Sequence, residues 1–539
     1  MLRPSLRLLL CALPLAALLV RPLPAAEAKL EGAEWKQVES EMARLFTPLP
    51  GKPGFGADKL TLVELLLKDG EARSWRMLSD VLVGECTLWL DAHKAVRETE
   101  DKIFPTLRKA TKDRTKEEEE AMFKAQAALP ALEETARTER EVLDKVVQAV
   151  AGAPAALKQN LFGRAKGPAD WILRAAVAQV AAADPLEKDS AAFLVRSLAP
   201  SSEKDPRVRA AALYALLPFP AGAEEHVIGR LADPDWTVQI LALRIVKEKK
   251  VTRAIPHLIA TLERANPRMQ EELGVVLKEL TGENFDAFAD VWARWWDENK
   301  AKFEGKESVK VGARPSNPAQ DPTLYGLPIK SDRVLFIIDI SGSMKDPTKN
   351  DNDKPPPTGA ITPKDGEKPV EPPEQLMSGP KIDVAKHELK KAIEKLPKTA
   401  KFSMIAYNHA TLVWKDVPVD ASPANKEDAY KWIRDFKPSG STFTDGALRT
   451  AFRIAGLGAI DKAYPEVLVD TIVLVSDGAP TDNAPDASKL MDHNIILQHV
   501  REWNAQKRVV IHCIAVDMTH GNDFMQKLAA ENGGHFVDR

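Results

Sequence analysis

The sequence predicts a multidomain protein in which an α-helical N-terminal part precedes a doubly wound α/β domain. Apolar residues recur at helical spacing over residues 29–303, so that one face of each helix can be buried. From Ser331 onward, short β-branched apolar runs alternate with amphipathic segments, as in a parallel sheet covered by helices. The chain has 539 residues, enough for roughly three or four domains.

Composition narrows the classes of function. The chain has 75 Lys and Arg against 78 Asp and Glu, a formal net charge of -3. It therefore lacks the basic excess of a nucleic-acid binder, and we predict no nucleic-acid partner. Its 3 cysteines are too few for a disulfide scaffold or a Cys-rich zinc module. Function has to be sought in local motifs.

Residues 1–28 have the pattern of a secretory signal peptide. Arg3 and Arg7 precede the apolar run 8–20, and small residues around Ala26 and Ala28 offer a cleavage site. The apolar run is shorter than the roughly 20 residues that a spanning helix needs. We expect cleavage and an extracytoplasmic location, whether periplasmic, at the cell surface or secreted. Membrane association is expected only if the segment is uncleaved.

Residues 29–158 are predicted to form a helical hairpin or a small bundle. This stretch is strongly charged, and its apolar positions, such as Leu62, Leu65 and Leu66, are spaced for burial on one helix face. Nothing in it carries chemistry.

An internal repeat occupies residues 159–303. Four apolar helical segments begin at Leu173, Val208, Val238 and Met269, at steps of 35, 30 and 31 residues. Second helices lie between them, which predicts a stacked solenoid because one helix pair cannot bury its own apolar face. The pattern resembles HEAT-type helical repeats. A closing segment rich in tryptophan is interpreted as core filling rather than as a ligand-binding surface (Trp292, Trp295 and Trp296).

A proline-containing stretch, residues 304–330, is predicted to be a linker. After it, the runs 333–340, 471–477 and 509–517 are continuous and apolar, which is typical of strands buried on both faces of a parallel sheet. Residues 402–408 and 411–419 are predicted to form an edge hairpin.

Polar residues follow these strands where a doubly wound sheet binds its ligands, outside the carboxyl ends of the strands. Asp339, Ser341 and Ser343 follow the first strand, Asp477 follows a later one, and a loop at 439–446 opens a helix. All of these side chains offer hard oxygen donors, which suit Mg²⁺, Mn²⁺ or Ca²⁺ and disfavour zinc or copper. Two carboxylates with neutral hydroxyls leave a bound metal electrophilic toward an incoming carboxylate.

The Asp-x-Ser-x-Ser motif, the Gly-x-Thr loop and the later Asp-Gly, in this order, resemble the von Willebrand factor type A (VWA) domain, which has a Rossmann-like fold. The similarity covers residues 331–539. In that family these positions form the metal-ion-dependent adhesion site (MIDAS). The resemblance implies a divalent metal, Mg²⁺ first, with direct hydroxyl ligands and two carboxylates that act directly or through water. The implied ligands are Asp339, Ser341, Ser343, Thr442 and Asp477.

Two local assignments depend on the same resemblance. Thr442 is chosen over Thr444 because it directly follows Gly440 and Ser441, as the family's ligating threonine does. Residues 345–379 look like a proline-rich insertion after the first metal loop, with too few apolar residues to build a core.

The predicted function is an exported, non-enzymatic interaction protein whose metal binds an Asp or Glu carboxylate of a protein partner. One alternative is a scaffold that binds through the solenoid and carries a structural VWA domain. Another is a phosphoryl-transfer hydrolase, which also keeps an Asp after its first strand. That chemistry needs a second carboxylate two residues after the first Asp. Here the first Asp is Asp339, and position 341 is Ser.

Overall fold

The computed structural model describes residues 29–46, 56–107, 109, 113–166, 170–216, 224–303, 308–312, 322–348, 379–456, 467–482, 489–504, 507–518 and 521–539. The signal-peptide prediction and most of the predicted insertion lie outside these residues. The chain divides into two compact units. One consists of Met1–Glu100, Lys124–Leu262 and Leu273–Val311, and the other of Asp101–Phe123, Glu263–Glu272 and Gly312–Arg539.

The N-terminal part of the chain is helical, as the sequence predicts. The helices are α1 (Gly32–Leu45), α2 (Gly56–Asp69), α3 (Ala72–Leu107), α4 (Lys116–Ala151), α5 (Ala155–Arg164), α6 (Trp171–Ala182), α7 (Lys188–Leu198), α8 (Pro206–Ala215), α9 (Glu224–Ile228), α10 (Trp236–Lys249), α11 (Ile255–Leu262), α12 (Pro267–Thr281) and α13 (Ala289–Asn299). Among all described helices, none is both long and apolar enough to cross a membrane.

Consecutive helices of the predicted repeat pack against one another, α6 on α7 and α8, and α8 on α10. Asp205 caps α8 by accepting a hydrogen bond from the Arg207 N–H, with Pro206 in the first turn. The predicted core role of the tryptophans is confirmed for Trp292 and Trp296, which are fully buried.

The C-terminal domain is built on a mixed sheet. Its strands are β3 (Arg333–Asp339), β4 (Lys401–Tyr407), β5 (Thr411–Val413), β6 (Val419–Asp420), β7 (Thr471–Ser476), β8 (Val510–Ala515) and β9 (Phe536–Asp538), after a small hairpin of β1 (Thr323–Leu324) and β2 (Leu327–Pro328). The strand order is β5-β4-β3-β7-β8-β9, with β6 paired to β4. Strands β4, β3, β7, β8 and β9 are parallel, whereas β5 and β6 run antiparallel to β4.

Helices alternate with these strands, which confirms the doubly wound pattern. They are α14 (Lys381–Lys395), α15 (Pro423–Arg434), α16 (Thr444–Ile454), α17 (His493–Trp503) and α18 (Asn522–Glu531). The chain leaves β3 toward β4 on one side and later returns to β7 on the other. The order of strands therefore switches at β3, and the carboxyl ends of β3 and β7 meet at that point.

The structure corrects the end of the predicted linker. Residues 323–328 form the β1–β2 hairpin, and Leu324, Tyr325 and Leu327 are buried in the same hydrophobic core as the sheet. The Tyr325 N–H donates to the Glu388 carboxylate of α14 at 2.9 Å. The prolines of this stretch favoured the prediction of a linker over a hairpin. The local sequence also does not show the burial of the hairpin, because that burial depends on a helix that follows much later in the sequence.

Candidate metal centre

Asp339 is the last residue of β3 and has 0% solvent exposure. Its Oδ1 accepts a hydrogen bond from the Ser341 N–H at 2.7 Å, and its Oδ2 accepts one from the Ser476 hydroxyl at 2.6 Å. Burial, with the nearby charge of Asp477, raises the pKa of the Asp339 carboxyl to about 6. The carboxylate is thus oriented by two donors in a setting that disfavours an uncompensated negative charge.

Ser341 and Ser343 lie on the turn that follows β3, which we call the serine turn. This turn contains a 3-10 helix, Gly342–Lys345, anchored in the core by the buried Met344. The two serine hydroxyl oxygens are 3.2 Å apart. The Ser343 hydroxyl donates to Asp477 Oδ1 at 2.8 Å. The turn therefore begins at the end of β3 and places the Ser343 hydroxyl next to the end of β7.

The loop before α16 brings Thr442 to the same place. The Gly342 N–H donates to the Gly440 carbonyl at 2.9 Å, which joins this loop to the serine turn. Gly440 has φ +70, and a Cβ there would lie 2.1 Å from His409 Nδ1, so only glycine fits. A Cβ at Gly478 would lie 3.4 Å from Thr442 Oγ1 and 3.9 Å from Ser343 Oγ. These two hydroxyls thus border the same small volume beside Gly478.

Thr444 faces a different environment from Thr442. Its hydroxyl is 3.4 Å from the Tyr407 hydroxyl, and its side chain is buried. Thr442 is instead fixed by its backbone, whose N–H donates to Thr481 Oγ1 at 2.9 Å and whose carbonyl accepts from the Thr481 N–H at 2.8 Å. The structure therefore brings all five residues of the predicted set together and leaves Thr444 outside it.

The site contains a lysine for which sequence reasoning predicted no role. Lys381 Nζ lies 2.9 Å from Asp477 Oδ2, and the two side chains are 9% and 0% exposed. The segment Gly379-Pro380-Lys381-Ile382 is visible in the sequence as the point where the family-like pattern resumes. Nothing in it indicates that the lysine reaches a carboxylate 96 residues away. Ser476, which donates to Asp339, was likewise not predicted.

The donor set fits a hard divalent cation. It consists of two carboxylates and three hydroxyls, and every donor atom is an oxygen, as Mg²⁺ and Ca²⁺ prefer. Zinc and copper instead prefer imidazole and thiolate ligands. Within the part of the chain that the structure describes, no group of three or more His, Cys, Asp or Glu residues could hold a metal. The predicted ligand set is of a different kind, because most of its members are hydroxyls.

Residues 374–538 match the family model of the von Willebrand factor type A domain. The chain therefore contains a VWA domain, which is preceded by a helical N-terminal region. The match includes Lys381, Thr442 and Asp477 and begins after the Asp339–Ser343 loop, which the sheet topology adds to the domain. The VWA domain indicates a role in protein–protein interaction.

Sequence relatives include inter-alpha-trypsin inhibitor heavy chain H2 of Mesocricetus auratus, 28% identical over 202 residues, which are 37% of this chain and 17% of the relative. Heavy chain H4 of Homo sapiens is 26% identical over 158 residues, 29% of this chain and 16% of the relative. The chain thus spans 17% or less of the length of these two curated relatives. Among solved structures, a von Willebrand factor type A protein from Catenulispora acidiphila is 18% identical, covers 39% of each chain and has a TM-score of 0.26.

Proposed function

We propose that this protein is an exported, non-enzymatic interaction protein that binds a carboxylate of a protein partner through a divalent metal. The metal would be held by Asp339, Ser341, Ser343, Thr442 and Asp477. The observation that carries the proposal is the hydrogen bond from Ser343 to Asp477, which joins two loops 134 residues apart in the sequence. Ser341 lies 3.2 Å from Ser343 in the same cluster.

The carboxylate of Asp339 and the hydroxyls of the site have different tasks. Asp339 orients the serine turn through the Ser341 N–H and supplies negative charge from a buried position. Ser343 and Thr442 offer neutral hydroxyl oxygens beside Gly478, which has no side chain to block them. A divalent metal bound there would supply a Lewis-acidic position for one outside oxygen. A partner's Asp or Glu carboxylate matches that position in charge and hardness.

The surroundings of Asp339 also support a non-enzymatic role. A nucleophilic carboxylate has to reach its substrate, but Asp339 is fully buried and each of its oxygens accepts a hydrogen bond. Ser341 occupies the place of the acid/base carboxylate that a phosphoryl-transfer hydrolase would need. The ligand set as proposed is suited to holding a ligand.

Manganese titration tests the metal site directly. We expect the wild-type protein to bind one Mn²⁺, detected by electron paramagnetic resonance of the free ion, and Ser343→Ala to bind it at least tenfold more weakly. Ser422→Ala is a matched control, because that serine caps α15 away from the site. Unchanged binding in Ser343→Ala would place the metal elsewhere.

Partner capture tests the second half of the proposal. Extracytoplasmic extract passed over the immobilised protein should yield a partner in Mg²⁺ and lose it in EDTA. Capture that survives EDTA and Ser343→Ala would contradict metal-mediated binding and would favour the helical region as the binding surface.

A further inference from the structure

We propose that Lys381 is an internal counter-charge of this site, which lowers its affinity for the metal and raises the affinity of the metal-loaded site for a carboxylate. The inference rests on the proposed function. It assigns to one lysine two effects of opposite sign, which a residue that only supports the fold would not produce.

The contact between Lys381 and Asp477 is direct and shielded from water. The ammonium lies 2.9 Å from Asp477 Oδ2, while the Ser343 hydroxyl donates to Oδ1. Protein donors therefore engage both oxygens of this carboxylate. With side-chain exposures of 9% and 0%, the pair is screened much less than a surface ion pair would be.

The backbone holds Lys381 in this position. Lys381 is the first residue of α14, and its N–H donates to the Asp346 carbonyl at 2.9 Å. Pro347 and Pro380 form an isolated antiparallel bridge, and the Thr348 N–H donates to the Gly379 carbonyl at 2.7 Å. This short two-stranded neck, residues 346–348 and 379–381, ties the start of α14 to the serine turn. The ammonium is thus placed by the fold and does not depend on a flexible surface side chain.

A count of charges gives the direction of both effects. With both carboxylates ionised, Asp339, Asp477 and Lys381 together carry a single net negative charge. A divalent cation then gives the loaded site a net positive charge, which favours an anionic ligand. Without the lysine, the empty site would be more negative and the loaded site would be neutral. The lysine therefore repels the incoming metal but leaves net positive charge for the carboxylate.

The other charged residues of the serine turn and of the first turn of α14 do not cancel this difference. On the serine turn, Lys345 and Asp346 are of opposite sign, and both are exposed to solvent, where their fields are screened. On α14, Asp383 is likewise exposed. Lys381, by contrast, contacts a ligand carboxylate of the site directly.

The experiment measures both affinities in the full-length protein. Lys381→Met removes the charge, and Lys381→Gln removes the charge but keeps a hydrogen-bond donor for Asp477. Lys345→Met is the matched control, since it removes an exposed lysine of the serine turn. Mn²⁺ affinity is read from electron paramagnetic resonance. Acetate affinity of the Mn²⁺-saturated protein is read from water proton relaxation, which falls as acetate displaces bound water.

We expect both Lys381 variants to bind Mn²⁺ about 5- to 10-fold more tightly and acetate several-fold more weakly than the wild type. A unit charge a few ångströms away adds an electrostatic term to the binding free energy that corresponds to a change in affinity of about this size. Lys345→Met should match the wild type. Equal affinities in all proteins, or a change of both affinities in one direction, would overturn the role of Lys381. Absence of Mn²⁺ binding by the wild type would instead overturn the proposed metal site. Near-ultraviolet circular dichroism establishes folding, and Lys381→Gln decides the outcome if Lys381→Met does not fold.

Discussion

Thr442 and Thr444 are two residues apart and equally polar, yet the fold separates their roles. Thr442 Oγ1 lies beside Gly478 and Ser343, whereas the Thr444 hydroxyl meets Tyr407. The spacing in the sequence allowed either to be a ligand. The resemblance to the VWA domain favours Thr442, and the loop before α16 places the Thr442 hydroxyl beside Gly478.

We expect Thr442→Val to weaken Mn²⁺ binding roughly tenfold, the usual order of effect for one lost polar contact of about 1–2 kcal/mol. Thr444→Val should bind Mn²⁺ as the wild type does, because its hydroxyl points toward Tyr407. Equilibrium dialysis with Mn²⁺ compares the two. The assignment of the ligand would be wrong if the Thr444 variant lost the metal and the Thr442 variant kept it.

We expect His512 on β8 to make the sheet domain sensitive to acid. Its Nδ1 accepts a hydrogen bond from the His535 N–H at 3.0 Å, so the ring has to stay neutral on that side. Burial, with the charge of His535, lowers the His512 pKa to about 3. The unfolded chain takes up this proton below about pH 6.5, before the folded chain does, so stability is lost as the pH falls through this window.

Between pH 7 and pH 5, we expect the unfolding free energy of the wild type to fall by about 2 kcal/mol more than that of His512→Asn. The slope for one titrating group is at most about 1.4 kcal/mol per pH unit. Asn removes the titration but keeps an acceptor near the Nδ1 position. The measurement is denaturant-dependent hydrogen exchange of the strand 510–515. His535→Asn, at an exposed position, is the control and should retain most of the wild-type pH dependence. Identical pH dependence in wild type and His512→Asn would refute the assignment.

At the scale of elements, the neck formed by residues 346–348 and 379–381 is the connection between the serine turn and α14. The two sides exchange hydrogen bonds, including Thr348 N–H to the Gly379 carbonyl and Lys381 N–H to the Asp346 carbonyl. The ends of the intervening segment 349–378 are therefore already joined. Folding of the site does not require that segment to bring them together.

Replacing residues 349–378 by Gly-Asn should leave the domain folded and Mn²⁺ binding within about threefold of the wild type. Loop-closure entropy changes slowly with length, so the shorter loop changes stability by only about 2 kcal/mol. Thermal unfolding and the Mn²⁺ titration measure both quantities. A matched variant that also removes 346–348 and 379–380 should lose metal binding, because it displaces the serine turn that carries Ser341 and Ser343. An unfolded 349–378 variant would show that the segment is a structural element.

At the scale of the whole molecule, export is the proposal that depends on residues 1–28. We expect protein purified from its native host to begin near Glu27 or Lys29, since the small residues around Ala26 and Ala28 follow the apolar run. N-terminal sequencing of the extracytoplasmic fraction measures this. Recovery of chains that begin at Met1 in the cytoplasmic fraction alone would contradict export, while the metal-site experiments would stand unaffected.

The sequence by itself determined the helical N-terminal part, the buried strands of the sheet and the order of the three loops of the candidate metal site. These features depend on local periodicity, since burial of one helix face or of both strand faces leaves a pattern within a few residues. The residue types that follow β3 and β7 likewise indicate hard oxygen donors, because the side chains themselves carry that chemistry wherever they lie.

Tertiary structure decided the rest. The contact between Lys381 and Asp477 spans 96 residues, and the β1–β2 hairpin gains its burial from contact with α14. The different surroundings of the Thr442 and Thr444 hydroxyls depend on how the loop before α16 meets β7. No local pattern predicts such contacts, because each depends on strand register and on where a distant segment returns to the sheet.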